Sequence, residues 1–304
     1  MCKAASSEED EMSIFPTKIL LATDGSEDAE LATTTAAALA KSTGSELHLV
    51  NVGVVAPALL APLDVEPARV EREVRDVLGE QARKVENVGG AVAQSHVRVG
   101  EAAREVVNLA EEIGTGLIAV GSRGRGKAKR MLMGSVSDAV VRHAHCPVMV
   151  VRRKPVVFPA KILLATDGSE EAELAARTAA DLATKTGSEL HLVHVLVLPP
   201  ETLHDPFGTA AREEFEKRGR ARLEVLTEKL EASGGAVEGA HFRVGSPDAE
   251  IVAQAEEVGA DMVVLGSRGL GAMRRALMGS VSDSVVRHAH CPVLVVRESN
   301  DAAV

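Results

Sequence analysis

Gly121 to Val151 reads GSRGRGKAKRMLMGSVSDAVVRHAHCPVMVV, and Gly266 to Val296 reads GSRGLGAMRRALMGSVSDSVVRHAHCPVLVV. Only seven of the 31 positions differ. Each copy leaves an apolar run, crosses a Gly-Ser-Arg-Gly turn and a basic loop, enters a helix at Gly-Ser-Val-Ser-Asp, and closes on a Cys-Pro-Val strand. Glycines let backbone approach a ligand with no Cβ in the way, and a helix N-terminus offers free N–H groups and the positive end of a dipole. That combination favours an anion, and a phosphate is the natural occupant.

Outward from these stretches the repeat continues. Asp24 matches Asp167 at an offset of 143, and Gly121 matches Gly266 at an offset of 145, so the 304 residues hold two similar domains whose middles differ by two residues. The formal charge of −10 argues against a polyanionic partner, and five Phe with no Trp or Tyr leave little on which to stack bases. No nucleic acid is expected. Cys2, Cys146 and Cys291 form no spaced disulfide framework, which fits a reducing cytoplasm. The acidic start lacks the apolar core of a signal peptide, and no apolar run reaches membrane-spanning length.

Lys18 to Ala22 is a short apolar run between Pro16 and the turn Thr23-Asp24-Gly25-Ser26, the mark of a buried parallel strand. Glu27, Asp28 and Glu30 open a helix that runs to about Thr43, with Gly44 at its C-cap. The spacing then predicts a strand over Glu46 to Val52, a charged helix from Pro67 to about Val88, and a strand near Gln94 to Val99. A helix over Ala102 to Ile113, a strand over Gly116 to Gly121, a helix over Val136 to Ala144 and a strand over Pro147 to Val151 complete the half. Alternating strands and helices predict an α/β fold of two doubly wound, Rossmann-like domains, each a five-stranded, mostly parallel sheet flanked by helices. The expected division is an acidic disordered tail at 1–16, domains at 17–153 and 161–298, a short linker at 154–160, and a tail at 299–304. Residues 195–233 diverge most from their counterparts.

The pattern Gly121-x-x-Gly124, nine residues, Gly134-Ser135 recurs as Gly266-x-x-Gly269, nine residues, Gly279-Ser280. With Thr23-Asp24-Gly25-Ser26, Thr166-Asp167-Gly168-Ser169 and the two Cys-Pro-Val strands, it resembles the ATP-binding class of the universal stress protein family, in tandem form, from Lys18 to Arg297. The resemblance implies an adenine nucleotide alpha hydrolase-like fold and ATP, with magnesium, in each half. It implies adenine near Ala22 and Val52, ribose near Asp24 and Gly121, and phosphates at Gly124, Gly134, Ser135 and Val136. Ala165, Val195, Asp167, Gly266, Gly269, Gly279, Ser280 and Val281 form the second set. Arg123 and Arg268 join them as loop cations. The first loop carries Arg123, Arg125, Lys127, Lys129 and Arg130 against Arg268, Arg274 and Arg275, so the first site is expected to favour a triphosphate more strongly.

Other readings of the same residues stand beside this one. Gly121 to Ala128 misses a P-loop because Ala128 stands where the metal-binding hydroxyl belongs, and Gly124-Arg125-Gly126 lacks the third glycine of a dinucleotide fingerprint. Ser135 with Asp138, and Ser280 with Asp283, spell capping boxes, and Asp24 is also a natural turn residue. His143, His145, His288 and His290 bring too few convergent donors for zinc. No loop supplies the metal clamp and nucleophile-orienting group of efficient phosphoryl transfer. The expected function is a nucleotide-dependent stress sensor or regulator with an unidentified protein partner. The alternatives are a slow ATP-cleaving or group-transferring enzyme and a nucleotide-free scaffold. The apolar final strands of the two halves are expected to pair, so that one chain imitates a dimer and further self-association is open.

Overall fold

Short runs such as Lys18–Ala22 and Leu117–Gly121 are apolar without alternation, and such runs are stable only as strands covered on both faces. The computed structural model describes residues 15–54, 67–125, 133–152, 160–198, 209–232, 234–270 and 278–298. The first half runs β1 (Lys18–Ala22), α1 (Glu27–Thr43), β2 (Glu46–Gly53), α2 (Pro67–Asn87), β3 (Gln94–Val99), α3 (Ala102–Glu112), β4 (Leu117–Gly121), α4 (Ser135–His143) and β5 (Val148–Val151). The second repeats it as β6 (Lys161–Thr166), α5 (Glu170–Thr186), β7 (Glu189–Leu196), α6 (Thr209–Ala232), β8 (Val237–Val244), α7 (Pro247–Val258), β9 (Met262–Gly266), α8 (Ser280–His288) and β10 (Val293–Val296). α1 begins where Ser26 Oγ accepts from Ala29 N at 3.4 Å, and stops where Gly44 takes φ 72°, a left-handed turn that glycine adopts without a steric cost.

The strands form one sheet in the order β3-β2-β1-β4-β5-β10-β9-β6-β7-β8. Pairing within each half is parallel, and the order reverses between β1 and β4 and again between β6 and β9. Loops leaving the carboxyl ends of those strands diverge and open a crevice there. Side chains alternate across the sheet. Ile19, Leu21, Leu47 and Leu49 join the core beneath α1 and α2, with the matching residues of the second half beneath α5 and α6. Leu20, Val50, Ile118 and Val148 face Val106, Leu109 and Val140 of α3 and α4.

The halves meet where β5 and β10 pair antiparallel, with Met149 opposite Leu294, as the apolar final strands were expected to do. Polar contacts across this seam are reciprocal. Arg152, after β5, donates to the carbonyls of Arg287 and Ala289 at the end of α8. Arg297, after β10, donates to Ala144 O at 2.7 Å and Val141 O at 2.6 Å at the end of α4. Each guanidinium thus satisfies C-terminal carbonyls that the helix itself leaves without partners. Asp138 and Arg142 of α4 interlock with Asp283 and Arg287 of α8, Arg142 reaching Asp283 at 2.8 Å and Arg287 reaching Asp138.

Phe15 lies within the stretch expected as tail, yet it is buried and its amide donates to Asp181 Oδ2 of α5 at 2.7 Å. Residues 1–14 and 153–159, most of the expected tail and linker, fall outside the described residues. The divergent α6 is accommodated by exchange. Gly219 stands at the place of Val74 when the helices are aligned on Gly89-Gly90 and Gly234-Gly235, and the ring of Phe242 occupies the space that a Cβ would need. The Arg220 guanidinium covers that ring at 4.5 Å.

Candidate functional site

At the β1/β4 divergence, Asp24 joins the two loops. Its Oδ1 accepts from Ser26 N at 3.0 Å, closing the turn after β1, and its Oδ2 accepts from Arg125 N at 2.8 Å, holding the glycine loop. Asp167 does the same with Ser169 N at 3.0 Å and Leu270 N at 2.9 Å. A Cβ at Gly124 would stand 2.5 Å from Asp24 Oδ2, and one at Gly121 would stand 2.7 Å from the backbone of α1. Both glycines are therefore fixed by the packing of the two loops.

A second brace comes from the first turn of α1. Asp28, nearly buried, accepts from Ser122 Oγ at 2.7 Å and from Arg123 Nε at 3.1 Å, and this hydrogen bond raises the guanidinium pKa above its ordinary value. Glu171 replaces it in the second half and accepts from Ser267 Oγ and Arg268 N, each at 2.6 Å, and from Arg268 Nε. Arg123 and Arg268, expected as loop cations, are held by these carboxylates, with about half of Arg123's side chain still open to solvent. Lys127, Lys129, Arg130, Ala272, Met273, Arg274 and Arg275, which carry the expected charge difference, lie outside the described residues.

The capping-box reading is overturned. α4 starts at Ser135 with Gly134 as N-cap and no side-chain cap; α8 starts at Ser280 with Gly279 as N-cap in the same way. Ser135 and Ser280 are one residue too late to cap, and Asp138 and Asp283 are spent on the seam arginines. Ser137 Oγ instead donates to Gly121 O at 2.6 Å, and Ser282 Oγ to Gly266 O at 2.8 Å, so each helix is pinned to the end of its strand. The first N–H groups of both helices stay open to the crevice. Gly134 and Gly279 have φ −76°, so no left-handed angle requires glycine there. What their missing side chain supplies is room, since a Cβ at Gly134 would lie 3.3 Å from Arg123 Cα.

These elements line an open cavity of about 1080 Å³ in the first half. Its wall includes Ala22, Asp24, Val52, Gly121, Arg123, Gly124, Gly134, Ser135 and Val136, brought together from four separate stretches of chain. Ala165, Asp167, Val195, Gly266, Arg268, Gly269, Gly279, Ser280 and Val281 occupy the corresponding ends of β6, β7 and β9 and the start of α8. Sequence reading missed the α2 side of the cavity, where Arg69, Val70, Glu73, Val74 and Val77 form the wall, and it missed Asn51. Nothing local marks those positions. The braces Ser122, Ser137, Ser267 and Ser282 had a signal, since all four lie in the duplicated stretch.

Among the described residues no three His, Cys, Asp or Glu converge as a metal cluster. His145 Nε2 pairs with Glu111 at 3.0 Å, His290 lies 3.9 Å from Glu256, and His288 Nδ1 is 2.8 Å from Ser284 O. His143 is exposed at the end of α4. Cys146 and Cys291 are buried, and burial pushes the Cys291 thiol up to about 12.

The chain matches the universal stress protein family over residues 16–152 and again over 160–297. A universal stress protein of Mycolicibacterium smegmatis is 31% identical over 309 residues, covering 92% of this chain and 96% of the relative. One from Mycobacterium tuberculosis is 35% identical over 205 residues, and that match spans 64% of each chain. The crystal structure of a universal stress protein from Archaeoglobus fulgidus aligns with a TM-score of 0.71 at 29% identity, over 92% of this chain and 98% of the other. No helix among the described residues is long and apolar enough to cross a membrane.

Proposed function

Because the chain belongs to the universal stress protein family, we propose that each half binds ATP and that the protein acts as a nucleotide-dependent sensor or regulator with little turnover. The observation that carries this reading is the uncapped N-terminus of α4, opposite the glycine loop and inside a cavity large enough for a nucleotide. Ser135, Val136 and Ser137 present consecutive N–H groups with no side chain competing for them. The γ and β phosphates are the groups such a cradle selects. Ala22 and Val52 give the base an apolar wall, and Asp24 faces the ribose while it holds the loop.

Magnesium would be carried by the phosphates, with the Ser135 hydroxyl at the start of α4 available to it, because no carboxylate cluster is present among the described residues to hold it alone. The same chemistry limits catalysis. Asp24 is engaged by two backbone amides, Asp28 by Ser122 and Arg123, and Glu73 by Arg69, so of the carboxylates lining the cavity only Glu27 has no such partner among the described residues.

Equilibrium dialysis with ATP and AMP, followed by product analysis, separates the readings. Retained, unhydrolysed ATP is the expected result. Turnover near the enzymatic median of about 10 per second would favour the phosphate-cleaving alternative, and no retention of either nucleotide would favour the scaffold.

A further inference from the structure

The two halves share the strand pattern Glu-Leu-His-Leu-Val-x-Val, and the variable position is Asn51 in β2 and His194 in β7. Both residues are buried, at 7% and 8% exposure. His194 has its needs met within the protein. Its Nδ1 lies 2.9 Å from Thr166 O, and its ring tilts against Phe242 with centroids 6.1 Å apart. The Asn51 side chain has no hydrogen-bond partner among the described residues, and it lines the cavity of the first half between Val50 and Val52. A carboxamide carries two donors and an acceptor, and those of Asn51, with no protein partner and not sealed from the cavity, are available to a ligand there.

Its position says which part of a nucleotide it meets. The phosphate cradle is at Gly124 and Gly134, at the ends of β4 and α4, whereas Asn51 lies on the far side of β1, beside Val52 and the α2 wall of Val70, Val74 and Val77. Val52, Val70, Val74 and Val77 give a base an apolar wall, and Asn51 is the uncharged polar group beside them, with Arg69 and Glu73 also on the α2 side. We propose that Asn51 is the base-reading residue of the first site: its carbonyl oxygen accepts from the 6-amino group of adenine while its NH₂ donates to the adjacent ring nitrogen. That two-point match is the one an amide side chain makes with adenine elsewhere. The second half, whose His194 is engaged with Thr166, lacks this reader, so the first site is the one that discriminates between bases.

The inference rests on the ATP reading above, and the test keeps the two apart. Calorimetric titrations use the full chain carrying Gly279→Val, which leaves the first site alone, with ATP and with purine riboside triphosphate, which lacks the 6-amino group. With Asn51 present, ATP is expected to bind about tenfold tighter than the analogue, the worth of a buried hydrogen bond and its desolvated partner. Asn51→Leu, and Asn51→His as a variant the second half already tolerates, are expected to bring that ratio close to one. Chains carrying Gly134→Val, which leave the second site alone, are expected to show a ratio close to one from the start. ATP binding with the same ratio in Asn51 and both variants would overturn the role of Asn51 and leave the nucleotide site standing. No ATP binding at the first site would overturn both.

Discussion

At the residue scale the site is built by carboxylates that hold loops and by glycines that leave room. Gly134→Val crowds the cradle, its Cβ pressing on Arg123 Cα at 3.3 Å, on a backbone at φ −76° and ψ 152° that valine itself can adopt. It is expected to abolish ATP binding in the first half while circular dichroism is unchanged, with Gly279→Val doing the same in the second; retained binding by the double variant would mean the site is misplaced. Asp24→Ala removes the acceptor of two backbone amides and is expected to cost about 1 kcal/mol in stability, read as a lower denaturant midpoint. Asp24→Asn, which keeps an acceptor, should recover part of that loss. The duplicated Gly-Ser-Arg-Gly and Gly-Ser-Val-Ser-Asp stretches made the glycine loop and the helix start that faces it legible in the sequence. Asn51 and the α2 wall were not legible, because they reach the cavity through the fold and no short-range pattern marks them. The capping-box reading failed for a related reason: Asp138 and Asp283 are claimed by arginines of the opposite half, a contact between residues far apart in the chain.

At the scale of elements, the strand and helix order was readable from the apolar runs and their turn residues, from Lys18–Ala22 through Val293–Val296. α6 differs from α2 in a way that composition alone hides, since Gly219 is paired with Phe242 of a neighbouring strand. The outer strands carry a feature with a measurable consequence. His48 of β2 stacks on His96 of β3, with Nδ1 and Nε2 3.1 Å apart, and His191 stacks on His241 between β7 and β8. Burial first, then the partner imidazole and Arg98, hold His96 below the usual imidazole pKa against the opposing pull of Glu112; His241 is lowered by burial, His191 and Arg243 against Glu257. Glu46 and Glu189 also face the inner histidines. A folded-state pKa below the unfolded value means the unfolded chain binds more protons, so stability falls as pH drops through and below about 6.5. Thermal unfolding at about pH 7.5 and about pH 5.5 should show this loss, and His96→Gln with His241→Gln should reduce it. An unchanged pH dependence in the double variant would contradict the assignment.

At the scale of the whole molecule, one chain forms a continuous ten-stranded sheet whose halves meet across β5 and β10. The pairing was legible because two apolar strands lie beside a short connection, but the reciprocal arginine caps were not, since Arg152 and Arg297 look like ordinary charged residues after a strand. Arg297→Met leaves the carbonyls of Val141 and Ala144 without their donors in a buried place and is expected to cost about 1–3 kcal/mol. Arg152→Met, at a less buried position, should cost less. Chemical denaturation measures both, and equal, negligible effects would show that the seam is held by the strands alone.

Nucleotide occupancy is read directly by native mass spectrometry of the purified chain titrated with ATP. Mass increments are expected for two ATP molecules on the intact chain, one on Gly134→Val, one on Gly279→Val and none on the double variant. An intact chain that carries no ATP at saturating nucleotide, or a double variant that carries two, would contradict that expectation.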